Sequence, residues 1–272
     1  MIGAIGVIGS TEFRALLRRR WFLVIVAASA ALIIAGAIVA ILQDGFMRAD
    51  TLRGWVLAVY LLGGLAVATS LGASTVNRDG DGGWVGMQVA TGVGRPAVAL
   101  GRAWGRVLAL CAVFGAWIAL ALIGGFIQGA VDWDLAVAGL AMLENMLVVL
   151  LVAALCSVPL GPVASGVFGV LAYIFMQSLV NLSSAVEAGV LGTAWSGVIR
   201  TFYLVFPRAI VSPLVSELQA RDVAALAAPR LEVNGNVVFV QPSSWGTVIW
   251  TLAWCVLLAF ATAGALRKRA LS

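Results

Sequence analysis

Six stretches of this chain are each long enough to cross a hydrocarbon core about 30 Å thick, which takes about 20 residues at 1.5 Å each. They run Trp21–Leu42, Trp55–Val76, Val107–Ile127, Leu135–Val158, Val163–Leu182 and Trp245–Leu266. Five carry no charge, and the fourth carries only Glu144. With no water in lipid to bond exposed amides, each stretch must satisfy its own backbone, which selects the helix. Composition agrees: 62% of residues are hydrophobic and 11% charged, against about 45–50% and about 25% in soluble domains. Trp21, Trp55, Trp104, Trp133 and Trp245 stand at the ends of the apolar runs, where an interfacial aromatic belt lies. The expected fold is an all-α, polytopic membrane bundle of six transmembrane helices. The first run is read as a retained span, because twenty residues and four arginines precede it and it exceeds a signal core.

Basic residues orient the bundle. With both termini inside, the inner side holds Arg14, Arg18, Arg19, Arg20, Arg78, Arg95, Arg102, Arg106, Arg267, Lys268 and Arg269. The outer side holds Arg48 and Arg53, plus Arg200, Arg208, Arg221 and Arg230 in one long segment, where charge counts little. Eleven against six places both termini in the cytoplasm.

Outside the spans the chain divides into four parts. Residues 1–20 place Ile2, Ile5, Ile8, Phe13, Leu16 and Leu17 at helical spacing with basic residues following, so an interfacial helix on the inner leaflet is expected, its start capped by Ser10 or Thr11. Residues 21–182 hold five spans, with an inner loop over 78–106 and a tight turn at Pro159–Pro162 that makes spans four and five antiparallel neighbours. Residues 183–244 are the one sizeable outer segment. Its first half is interrupted by Glu187, Arg200, Pro207, Arg208 and Pro213, which fits short interfacial or re-entrant helices rather than a span. Further on, Asn234-Gly235 between apolar flanks predicts a small outer β-hairpin. Residues 245–272 are the sixth span and a basic tail.

Several chemistries are excluded by composition. The chain has no histidine, which removes histidine-based triads and histidine-ligated zinc. Its single lysine is Lys268, so it lacks the Gly-Lys-Ser/Thr step of a phosphate-binding loop. Cys111, Cys156 and Cys255 lie singly within apolar runs and read as small buried hydrophobes. No catalytic residue, cofactor site or metal site is expected, and any ATP hydrolysis falls to a partner. The net charge of +5 sits at the edges of the spans, without the basic and aromatic blocks of a nucleic-acid face.

Two segments resemble the permease family of type-2 ABC exporters. The first is Thr11-Glu12-Phe13-Arg14-Ala15-Leu16-Leu17-Arg18, similar to the family's pattern just before its first span, with Glu12 and Arg18 at matching places. The second is the inner loop, with Asp79 and Asp81, Gly82-Gly83-Trp84, an apolar stretch to Ala90, Gly94-Arg95 and Gly101-Arg102 in the family's order; Trp84 stands where threonine is common. The resemblance implies a transport subunit in a bacterial cytoplasmic (inner) membrane. It implies two copies of an ATP-binding cassette ATPase subunit as partners, and a second permease copy or a paralogue. It assigns Asp79, Asp81, Trp84 and Arg95 to coupling with the ATPase, and Glu12, Arg14 and Arg18 to an elbow helix. Taken alone, the loop's Trp84, Val85, Met87 and Val89 fit a short helix docked on a partner or lying on lipid; the resemblance favours docking.

Glu144 has two readings. If the fourth span starts near Asp134, Glu144 is near the bilayer middle and a pathway residue. If the helix starts later, Glu144 and Asn145 sit at the outer interface. The pairs Gly101/Gly105 and Gly125/Gly129 have the spacing of close helix contacts, which arises readily in a chain with 31 glycines. The alternative functional classes are a secondary transporter and a membrane anchor or assembly protein without an ATPase partner. The topology is tested by single-cysteine labelling in a cysteine-free background: positions 128 and 235 should label from outside and position 90 only from inside. External labelling at position 90 overturns it.

Overall fold

Apolar runs that must close their own hydrogen bonds become helices, and the described residues include six helices long and apolar enough to cross a membrane. The computed structural model describes residues 2–43, 47–75, 94–129, 131–189, 193–220, 231–233, 236–238 and 242–269. Its elements are α1 (Ile2–Leu17), α2 (Arg20–Ile41), α3 (Met47–Ala73), α4 (Arg95–Ile127), α5 (Trp133–Cys156), α6 (Pro162–Glu187), α7 (Thr193–Val205), α8 (Pro213–Ala220), strands β1 (Leu231–Val233) and β2 (Asn236–Val238), and α9 (Trp245–Arg269). The spans are α2, α3, α4, α5, α6 and α9. The end of the bundle where α1 meets α4 and the end of α3 is called proximal below; the other is distal.

Three helix starts differ from the sequence expectation. α3 begins at Met47, eight residues before Trp55, because Arg53 finds a partner in Asp132 and tolerates the helix. α4 begins at Arg95 rather than Val107: Gly94 is its N-cap and Pro96 occupies the first turn, where a missing N–H costs nothing. The inner loop is therefore shorter than 78–106. α1 begins at Ile2, so Ser10 and Thr11 are not caps. Both lie inside the helix, with Ser10 Oγ donating to the Val7 carbonyl (2.9 Å) and Thr11 Oγ1 to the Ile8 carbonyl (3.1 Å).

α5 is the centre of the bundle and packs on α3, α4, α6, α8 and α9. It starts at Asp132, whose carboxylate accepts from the Asp134 amide, and ends before the Pro159–Pro162 turn that returns the chain into α6. Its fully buried residues include Leu135, Met146, Val148 and Leu150. A stack of rings fills the space between α3 and α4. Phe114 lies 5.1 Å from Trp117 and 5.9 Å from Tyr60, centroid to centroid. Glycines bring the backbones together around it: a Cβ on Gly63 would stand 2.9 Å from the Trp117 ring, and one on Gly72 would stand 2.5 Å from the Leu150 carbonyl oxygen.

Between α6 and α9 the chain does not span. α7 is amphipathic and packs on α6. After it, residues 207–211 run without helical bonds, and α8 then packs on α5. Ala209, Ile210, Val211 and Ser212 are all buried. Backbone amides buried in this way need partners. Asn145, in the middle of α5, supplies two: its Nδ2 donates to the Ile210 carbonyl at 3.0 Å and its Oδ1 accepts from the Ile210 amide at 2.7 Å. The Val211 amide donates to Ser243 Oγ (3.0 Å) and the Ser243 amide to the Val211 carbonyl (2.9 Å). From α9, the indole N–H groups of Trp250 and Trp254 donate to the carbonyls of Phe206 (3.3 Å) and Val205 (3.0 Å). A helix–break–helix thus inserts to the height of Asn145. β1 and β2 pair antiparallel, Leu231 opposite Val238 and Val233 opposite Asn236, beside α6. Asn234 and Gly235 lie outside the described residues.

Gly72→Leu should force α3 from α5 and lower stability by about 1–3 kcal/mol, the scale of overpacking. Gly115→Ala, in open space, should do nothing. Thermal unfolding in detergent compares them, and equal midpoints would contradict this packing.

Candidate functional site

At the proximal end, α1 lies across α4 so closely that only glycines fit between them. A Cβ on Gly101 would stand 2.8 Å from the Ile8 Cβ, and one on Gly105 would stand 2.5 Å from the Gly9 carbonyl oxygen. The Gly101/Gly105 pair is therefore a true helix contact. Gly125 lines the distal cleft described below. The crossing carries Glu12 of α1 onto Arg106 of α4, where both are buried, at 4% and 0% exposure.

Arg106 ties three elements together. Its Nη2 donates to Glu12 Oε1 at 3.0 Å and its Nε to the same oxygen at 3.3 Å. Its Nη2 also reaches the Ser74 carbonyl (2.9 Å), and its Nη1 reaches Thr75 Oγ1 (2.8 Å), Ser74 Oγ (3.1 Å) and the Leu71 carbonyl. One turn earlier, Arg102 donates from Nη1 to the Thr75 carbonyl at 3.2 Å. The end of α3 leaves its last carbonyls without helical partners, and its dipole there is negative. Two arginines from α4 answer both needs. Ser74 and Thr75 add back-bonded hydroxyls to the Ser70 and Gly72 carbonyls (2.8 and 2.6 Å). This cluster sits where the chain leaves α3 for residues 76–93 and returns at Gly94.

Of the residues assigned by resemblance, Glu12 is at the heart of this cluster. Arg14 and Arg18 are exposed, the first on the open side of α1 and the second just past its end. Asp79, Asp81 and Trp84 lie outside the described residues. Arg95 is the first residue of α4, about two turns before Arg102. Glu144 stands apart, near the middle of α5, because the helix starts at Trp133; the later start that would move Glu144 to the interface does not occur. Glu144 is half-buried, with Oε1 buried and without a hydrogen-bond partner.

The distal end carries a second polar group. Arg53 Nε donates to Asp132 Oδ2 at 2.6 Å, joining α3 to the start of α5 beside a cleft of about 570 Å³ lined by Arg48, Gln128, Trp133 and Asp134 among others. Arg48 caps the end of α2, donating to the carbonyls of Ile41 and Gln43 at 3.3 Å each.

Sequence reasoning singled out neither Arg106 nor Asn145. The available signal for Arg106 was pairing by elimination: Glu12 is the only acidic residue before the first span, and Arg106 sits at the edge of an apolar run. Asn145 carried no signal, because the acceptor and donor it satisfies belong to backbone 65 residues away.

Removing one member of a buried, hydrogen-bonded ion pair costs about 3–5 kcal/mol, since the other is left unpaired. Arg106→Met should therefore destabilise strongly, and more than Glu12→Gln, because it also frees the carbonyls of Leu71 and Ser74. The double variant should be less destabilised than the sum of the singles. Chemical unfolding in a double-mutant cycle reads this; additive losses would show the pair to be uncoupled.

No protein-family model matches this chain, and no curated protein matches it.

Proposed function

We propose that the chain is the membrane-spanning permease subunit of an ATP-binding cassette exporter. It forms the substrate pathway and couples to a separate ATPase, with no catalytic site of its own. The observation that carries this reading is the proximal cluster. Residues 76–93 emerge from a mount in which α1, α3 and α4 are fastened by Arg102 and Arg106, and that stretch holds Asp79, Asp81 and Trp84. A loop serving only as a connection needs no such mount. A loop that takes force from a partner needs a rigid base, so that displacement passes into the bundle rather than into local bending.

In this reading α1 is the elbow helix on the cytoplasmic surface, both termini are cytoplasmic, and the membrane is the bacterial inner membrane. Two ATPase subunits bind below two permease chains, the second a copy or a paralogue. α7, α8 and the short strands face outside. Nucleotide binding biases inward and outward states of different stability.

One observation favours a second reading, a secondary transporter. Glu144 has an unpartnered oxygen in the middle of a span, and intramembrane carboxylates are proton-relay residues by default. A single such carboxylate is a thin basis for ion coupling.

The test asks whether the neighbouring reading frame encodes an ATP-binding cassette protein and reconstitutes the chain with it. The chain alone should hydrolyse no ATP, and the complex should. Trp84→Ala should weaken assembly by about 2 kcal/mol or more, as a buried interface tryptophan does, or leave hydrolysis unlinked to transport. A complex that assembles and couples after deletion of residues 80–93 would sink the coupling role. Transport by the chain alone, driven by a proton gradient and abolished in Glu144→Gln, would establish the second reading.

A further inference from the structure

One flank of the bundle encloses two adjoining apolar clefts. The first, about 400 Å³, lies between α6 and α7 against Phe175, Leu179, Leu182, Trp195, Val198 and Phe202. The second, about 200 Å³, lies deeper, between α5, α6 and α9, with Phe206 and Pro207 at its edge and Trp254 opposite. Phe175 belongs to both. The rings form one surface around Phe206: Phe175 meets it edge-on at 5.5 Å, while Phe202 and Trp254 stack on it at 5.4 and 6.2 Å. Along α6 the clefts extend from Ala172 to Leu182, roughly 15 Å at helical rise.

The residue after Pro207 is Arg208. Its guanidinium carbon lies 4.0 Å from the centre of the Tyr203 ring, and its Nε is buried without an acceptor. It makes no ion pair among the described residues. Its backbone is fixed: Thr251 Oγ1 donates to the Arg208 carbonyl at 3.4 Å, and Asn145 holds Ile210 two residues on. A half-buried cation is thus carried by backbone at the height of the middle of α5, whereas the buried Arg102 and Arg106 both meet acceptors. A charge at membrane depth is costly, and such charges mark substrate pathways.

We propose that this flank is a binding site for an anionic phospholipid, with one acyl chain in the two clefts and the phosphate on Arg208. The cleft walls offer a methylene chain apolar contact along its length. A partner helix, about 10–12 Å across with its side chains, does not enter them. The guanidinium offers paired N–H donors to a phosphate, and Tyr203 holds it in place without neutralising it. As a statement about cargo, the proposal rests on the permease reading and names its substrate class as lipid. As a statement about binding it does not, and its test uses the purified chain without any ATPase.

The probes are phosphatidylglycerol and phosphatidylcholine carrying the same dibrominated acyl chains. Quenching of tryptophan fluorescence in detergent-solubilised full-length chain reports binding, and Trp254→Phe and Trp195→Phe assign the signal to the clefts. Phosphatidylglycerol should bind roughly tenfold tighter than phosphatidylcholine, because both carry the phosphate but only the choline head adds a cation that Arg208 repels. Arg208→Gln should bring the two lipids to parity, and Leu179→Trp, which fills the first cleft, should weaken both. A second measurement needs no variant: modification of Arg208 by phenylglyoxal, read by peptide mass, should be slowed by phosphatidylglycerol and not by phosphatidylcholine. Equal binding of the two lipids, a preference that survives in Arg208→Gln, or equal shielding by both overturns the proposal. Lipid selectivity with no ATPase partner found would instead leave the site standing and remove the permease reading.

Discussion

The guanidinium of Arg106 joins three helices at the proximal end of the bundle. Glu12 comes from a short amphipathic helix, while Leu71, Ser74 and Thr75 come from the frayed end of a span; the arginine itself lies on a third. Buried ion pairs are weak evidence for net stability, because desolvation offsets much of the attraction. What this one supplies is position. All the hydrogens that Arg106 directs at neighbours meet acceptors whose places are already fixed by helix geometry, so α1 cannot slide along α4 without stranding a charge. The glycine contacts Gly9, Gly101 and Gly105 work with it, since they let the two backbones approach closely enough for Glu12 to reach.

The same logic recurs halfway along the bundle with neutral groups. Asn145 does for residues 207–211 what Arg106 does for the end of α3: it meets backbone groups that have no helical partner. The difference is charge. Neutral pairing leaves the aromatic surface around Phe206 apolar, and leaves Arg208 as the one cation at that height without a carboxylate partner among the described residues. The bundle therefore has a polar fastening at each end, Arg106 with Glu12 and Arg53 with Asp132, and an apolar middle broken by Glu144 and Arg208.

The six spans were legible because a run of apolar residues about 20 long has few other fates. Their starts were less so. Arg53, Arg102 and Arg106 read as markers of the membrane edge, yet all three lie within helices, since partners distant in sequence, Asp132, Thr75 and Glu12, satisfy them. Ser10 and Thr11 have the chemistry of caps, but the helix begins a full eight residues earlier because Ile2–Gly9 holds no residue that breaks it outright; of its three glycines, Gly9 lies against α4. The break at 207–211 was visible in Pro207 and Pro213; its depth was not, because depth depends on Asn145 and on two tryptophans of the last helix.

Those tryptophans set an order of assembly. The carbonyls of Val205 and Phe206 are met by indoles of α9, and the Val211 amide by Ser243 just before it. During synthesis, α7 and the break after it emerge while α9 is still unmade. Until then this segment has only the two bonds from Asn145 on α5, and the backbone groups that Ser243, Trp250, Thr251 and Trp254 will meet need water. Residues 243–254 thus act as a latch on the break, and a chain stalled short of Ser243 would leave the carbonyls of Val205 and Phe206 unmet.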